Sequence, residues 1–170
     1  MRRTWFPGEQ TKHLTVMGSA NLLKNLIAEF GASIGIPELT LDEENRCNLM
    51  FDEVAVSFEL SPDEDAVYIY AYLGDVVPGN NNALFASLLD ANYLFRGTGG
   101  ATIGVDEASG RVVMIRSEDL SALRLSRFSS LAEEFINLAE LWQKKLAEFP
   151  AQTAQQPAPA TPVEALTTKV

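Results

Sequence analysis

At 170 residues, 46% hydrophobic and 21% charged, the chain is long enough for one globular domain with its own core. A net charge of −10 repels nucleic acid and anionic lipid, so neither is an expected partner. The single cysteine, Cys47, excludes a disulfide framework and a thiolate metal cage, and no apolar run approaches bilayer-spanning length.

Residues 1–18 (MRRTWFPGEQTKHLTVMG) lack periodicity and read as a leader outside the domain. No apolar stretch follows the two arginines, so no secretory or twin-arginine signal is expected, and a reducing cytoplasm is the expected location. Residues 19–34 place Leu22, Leu23, Leu26, Ile27, Phe30 and Ile34 on one arc of a helix, with Ser19 as its cap. Leu23, Leu26 and Phe30 are mid-arc and expected in the core; Leu22 and Ile27 sit at the edges. Pro37 is expected to stop the helix, because it disfavours helical conformation in the residue before it.

Three strands follow. CNLMF (47–51), VAVSFEL (54–60) and VYIYAYL (67–73) show β-branched and aromatic residues, the last two at period two. Their short connections predict an antiparallel meander. The third strand presents Tyr68, Tyr70 and Tyr72 on one face. A second helix is expected over 83–95, then strands over 101–105 and 111–117. A long helix over 126–149 repeats apolar residues from Phe128 to Phe149 at steps of three and four. Residues 150–170 are rich in Pro, Ala, Gln and Thr and read as a disordered tail. The folded unit is then 19–149, which holds 21 of the 23 acids and nine of the 13 bases, a charge of −12. The fold class is α+β in the order α-β-β-β-α-β-β-α, with helices packed on an antiparallel sheet.

Three motifs fail on context. Gly97, Gly99, Gly100 and Gly104 follow a helix and lead into a strand, the reverse of a dinucleotide-binding loop. GASIG (31–35) spells a nucleophile elbow, but Ser33 follows a helix and the only histidine, His13, lies upstream. Asp42, Glu44 and Glu53 sit at calcium-loop positions, but Cys47 stands where the sharp turn needs glycine. No catalytic apparatus, metal site or cofactor is expected.

Three stretches resemble the class I type III secretion chaperones, the family typified by the chaperone of the translocated intimin receptor. The first carries Gly35, Ile36, Pro37, Leu39, Leu41, Asp42, Cys47, Leu49, Phe51 and Asp52. The second carries Leu88, Leu89, Asn92, Gly99, Gly100, Gly104, Gly110 and Val112. The third is FINLAELWQKKL with Trp142. The match covers 19–149; the leader and the tail are outside the pattern.

The resemblance implies a homodimer and not an enzyme. It implies binding, without ATP, of the extended N-terminal segment of a secreted effector or translocator, with the secretion ATPase or a regulator as further partners. An extended segment gains affinity by adding a strand to a sheet edge and docking side chains in apolar pockets. On this reading Leu22, Ile36, Leu39, Leu41 and Phe51 are the candidate cargo-binding residues. The second helix places Leu84, Phe85, Leu88 and Leu89 on one arc; the resemblance implies a dimer contact around this helix and the strand after it, which makes Leu84, Leu88 and Val113 the candidate dimer contacts. Two other readings stand beside this one: a regulatory adaptor of the same fold that sequesters a secretion regulator, and a small enzyme with a nonlocal carboxylate site.

Overall fold

The computed structural model describes residues 10–79 and 81–149, with residues 10–17 as backbone only. The His13 side chain, residues 1–9 of the expected leader and the tail at 150–170 lie outside what is described.

The chain runs through α1 (Gln10–Ser33), β1 (Arg46–Phe51), β2 (Val54–Leu60), β3 (Ala66–Asp75), α2 (Asn82–Asn92), β4 (Thr102–Val105), β5 (Arg111–Asp119) and α3 (Leu125–Ala147). Short 3₁₀ turns at Tyr93–Phe95 and Leu120–Ala122 follow α2 and β5. The expected α+β order holds.

The start of α1 differs from expectation. Ser19 is not a cap but a buried interior residue, because the helix begins at Gln10. Between Gln10 and Ser19 the only glycine or proline is Gly18, whose cost of about 1 kcal/mol a long helix tolerates. The other end closes one step before Pro37. Gly35 takes a left-handed φ of 80°, the Ile36 N–H donates to the Gly31 carbonyl at 2.8 Å, and the Gly35 N–H donates to Ala32 at 3.4 Å. This is the paired closure of a Schellman motif.

The strands form one antiparallel sheet in the order β1-β2-β3-β5-β4. The meander of β1 to β3 is as expected, while β5 inserts between β3 and β4. Register lines up Leu49, Val56, Ala71, Met114 and Ile103 in one row across all five strands on the inner face. The outer face carries Asn48, Ser57, Tyr70, Ile115 and Thr102 in the corresponding row.

α3 lies over β3 and against α1. Its apolar stripe buries Phe128, Leu131, Ala132, Phe135, Ala139, Trp142 and Leu146. Phe30, Phe58 and Phe128, from α1, β2 and α3, pack ring to ring at centroid separations of 5.2–6.0 Å. Aromatic pairs at such distances add about 0.5–1.5 kcal/mol each to their burial. Ile27, expected at the edge of the α1 arc, is fully buried in this core, because α3 and the sheet close over both sides of the stripe.

Candidate functional site

Among the described residues, two apolar surfaces bear on the sequence candidates. The first follows the end of α1. The loop after Gly35 folds back so that Leu39 packs on Gly31, where an added Cβ would meet Leu39 Cβ at 2.5 Å. Leu39 and Leu41 are half-buried against the core, and Ile36 stands exposed beside them. The loop then enters β1 through a polar staple. Asp42 accepts from the backbone N–H groups of Glu44 (3.0 Å) and Arg46 (2.9 Å), and the Arg46 guanidinium pairs with Glu44 and Asp42. The Arg46 N–H, with desolvation opposing it and the Glu44 N–H and the Arg46 charge adding to it, holds the Asp42 carboxyl below its usual range. Beyond the staple, β1 is an outer strand of the sheet, and its outward-facing Met50 is exposed.

The five candidate cargo residues do not converge on one pocket. Ile36, Leu39 and Leu41 belong to the loop. Phe51 is half-buried at the far end of β1, five residues beyond Arg46 or about 17 Å along a strand. Leu22 is 51% exposed, 11 residues and about 16 Å along the helix from Ser33. It lines a separate cleft of about 820 Å³, with Asp63, Glu64, Asp65, Tyr68 and Asp119 among the walls and none of the other four.

The second surface is built on α2, the turn after it and β4. Leu84 and Leu88 are 4% and 5% exposed, because they face β4 and the sheet. Within this chain they leave little of their own surface exposed. The exposed members of the same arc are their chain neighbours Phe85 and Leu89, the latter 70% exposed. With Val76, Val105 and the edge of Leu88 they line a cleft of about 560 Å³. Val113 is half-buried on the outer face of β5, opposite Gly104 and Tyr72.

α2 ends earlier than expected. Asn92, the last residue of α2, uses its side-chain amide as a strand would use its backbone, donating to the Ile103 carbonyl (2.8 Å) and accepting from the Ile103 N–H (2.9 Å). Tyr93, Leu94 and Phe95 then form an exposed turn that the helical periodicity had absorbed. The only hint in the sequence was the asparagine itself, a residue that favours helix ends.

The three tyrosines of β3 lie on the outer face. Tyr70 donates to Glu59 at 2.7 Å, and burial, followed by that bond, pushes its phenol pKa up. Tyr72 is exposed, with Arg111 6.0 Å from its ring. Ser33 donates to the Phe30 carbonyl at 2.7 Å as an ordinary helix-end hydroxyl. Among the described residues no cluster of three His, Cys, Asp or Glu is placed to hold a metal, and no helix is long and apolar enough to cross a membrane.

The family model for the Tir chaperone protein (CesT) family matches residues 25–143. The transcriptional anti-antiactivator ExsC of Pseudomonas aeruginosa is 30% identical over 132 residues, which are 76% of this chain and 89% of that protein. Among solved structures, the ExsC–ExsE complex superposes with a TM-score of 0.64 at 28% identity, covering 74% of this chain and 93% of the other. The HopA1–SchA chaperone–effector complex gives 0.62 at 20% identity, covering 75% and 97%, and bears on the fold alone.

Proposed function

The chain belongs to the Tir chaperone protein (CesT) family, and from that premise we propose that it is a type III secretion chaperone that holds an extended N-terminal segment of a secreted protein. It acts by stoichiometric binding in the bacterial cytoplasm, without catalysis and without ATP, and it does so as a homodimer. One observation carries the reading: Ile36 stands exposed on the loop that leads into an outer strand of the sheet, with Leu39 and Leu41 half-buried beside it, Phe51 half-buried at the far end of that strand, and Leu22 exposed in a cleft of its own. An extended segment can pair with the outer edge of β1 while its apolar residues cover Ile36 and, farther along, Leu22. Ordering such a segment costs about 2–5 kcal/mol. Burying roughly 100–200 Å² of apolar surface, at about 25 cal/mol per Å², offsets that.

A second reading of the same surface is a regulatory adaptor. The observation that favours it is the relative at 30% identity, ExsC, a transcriptional anti-antiactivator whose complex with ExsE is solved. The partner captured would then be a regulator of secretion.

The experiment is capture of the tagged protein from its own cells under secretion-inducing conditions, in wild-type and Ile36→Asp forms, with partners mapped by limited proteolysis. A partner protected only near its N-terminus, and lost with Ile36→Asp, is the expected result. A folded regulator bound in its place selects the adaptor. A partner retained in full by a folded Ile36→Asp variant sinks the proposed surface. Leu39 and Leu41 are unsuitable probes, because charge placed on residues packed against the core would unfold the loop.

A further inference from the structure

The cleft of about 820 Å³ beside α1 carries four acids, Asp63, Glu64, Asp65 and Asp119, and no lysine or arginine among its described walls. Leu22 and Tyr68 add apolar surface to it. The acids come from two places that are held together. The Leu120 N–H donates to the Asp65 carbonyl at 3.0 Å, which ties the turn between β2 and β3 to the end of β5. Among the described residues none of the four acids pairs with a base. Glu64 Oε2 is shut off from water and has no hydrogen-bond partner there. A carboxylate oxygen so placed is costly unless a donor reaches it. The cleft is short of a cation, and one that brings several N–H donors on an apolar stem fits it, which describes an arginine.

We propose that Arg2 and Arg3 fill this cleft, the leader folding back along α1 onto its own chain. Charge names the occupant first. Residues 1–8 hold two arginines and no acid, in a chain of net charge −10. Length agrees with charge. Pro7–Gly8 is a turn dipeptide just ahead of the helix that starts at Gln10. From Pro7 back to Arg3 is four residues, about 13 Å of extended chain. From Gln10 to Ser19 is nine residues, about 13 Å along α1. A leader reversed at Pro7–Gly8 therefore brings Arg3 level with Ser19 and Arg2 close to Leu22, and Ser19 and Leu22 both line the cleft. Leu22 is then covered by the chain's own leader. On the capture reading above, a bound segment that reaches Leu22 has to displace it.

The test places a nitroxide on the full chain through Thr4→Cys and reads paramagnetic broadening of the backbone amides; Cys47 is buried and stays unlabelled. The expected result at low salt is that amides of residues 63–66 and 117–121 lose most of their intensity. Asp75 and Arg111, paired at the other end of β3 and β5 about 30 Å away, should keep theirs. Salt at 1 M, where the screening length falls to about 3 Å, should restore the lost signals, and so should Arg2→Glu/Arg3→Glu. No broadening at residues 63–66 overturns the docking. Broadening kept in full by Arg2→Glu/Arg3→Glu overturns the arginines as its anchor. Broadening that disappears when the labelled chain is diluted into unlabelled chain assigns the leader to a neighbouring copy and overturns the fold-back. No captured partner takes part, so the result is independent of the capture reading.

Discussion

Gly31 and Leu39 are in a contact that only glycine allows. A Cβ built on Gly31 lies 2.5 Å from Leu39 Cβ and 2.7 Å from the Ile36 carbonyl oxygen. The loop that carries Ile36 is thereby seated on the last turns of α1. Gly31→Ala should destabilise the protein by about 1–3 kcal/mol, the usual cost of overpacking. Trimming the neighbour should not rescue it, since the atoms struck are a Cβ and a backbone oxygen. Urea unfolding of Gly31→Ala and of Gly31→Ala/Leu39→Ala checks this; recovery of stability in the double variant would contradict it.

The Phe30–Phe58–Phe128 cluster ties three elements together at one point. Phe58 and Phe128 are fully buried, so Phe58→Ala and Phe128→Ala should each cost about 3–5 kcal/mol. Their rings are 5.2 Å apart and share Phe30, so the double variant should lose less than the sum. Equilibrium denaturation of the three variants measures the coupling, and strict additivity would argue against a shared cluster.

Asn92 is the clasp between α2 and β4. Asn92→Ala leaves both the Ile103 N–H and its carbonyl without their partner, and the expected loss is about 1–3 kcal/mol. Asn92→Asp should also destabilise, because a carboxylate cannot donate to the carbonyl. Amide exchange at Ile103 should quicken in both variants, and unchanged protection would refute the clasp.

Cys47 is 3% exposed on the inner face of β1, and burial, followed by the Asp42 charge, raises its thiol pKa. A buried neutral thiol is a poor nucleophile. Its reaction with a disulfide reagent at pH 8 should be slow in the native protein and should accelerate greatly in denaturant. Equal rates in both states would show that β1 opens readily.

The Asp42 staple is pH-sensitive in a defined direction. Its folded pKa lies below the ordinary 3.8, so its contribution is present above that value and is lost as pH falls through the folded pKa. The Glu44 and Arg46 amide resonances, which report the bonds to Asp42, should titrate with a midpoint under 3.8. They should lose that step in Asp42→Asn; a midpoint at or above 3.8 would dissolve the staple.

Much of this was legible in the chain, because it is locally encoded. Val54, Val56, Phe58 and Leu60 alternate with Ala55, Ser57 and Glu59, and period two is enough to make β2 and orient it. The stripe from Phe128 to Leu146 does the same for α3. Ordered local signals of this kind also carried the family resemblance.

Tertiary structure decided the rest. Leu84, Phe85, Leu88 and Leu89 share one arc, and nothing local says which half is covered; Ile103 and the sheet bury Leu84 and Leu88 and leave Phe85 and Leu89 outside. The end of α2 was hidden for a related reason, since Tyr93, Leu94 and Phe95 continue a helical pattern until Asn92 finds Ile103, 11 residues away. Leu22, Ile36 and Phe51 looked equivalent as spare apolar residues, and the fold distributes them to different places. Periodicity is a property of neighbouring residues, whereas exposure depends on which distant element arrives to cover them, so the sequence determined the elements and their order while the packing of α2 against β4 and of α1 against α3 determined the surfaces.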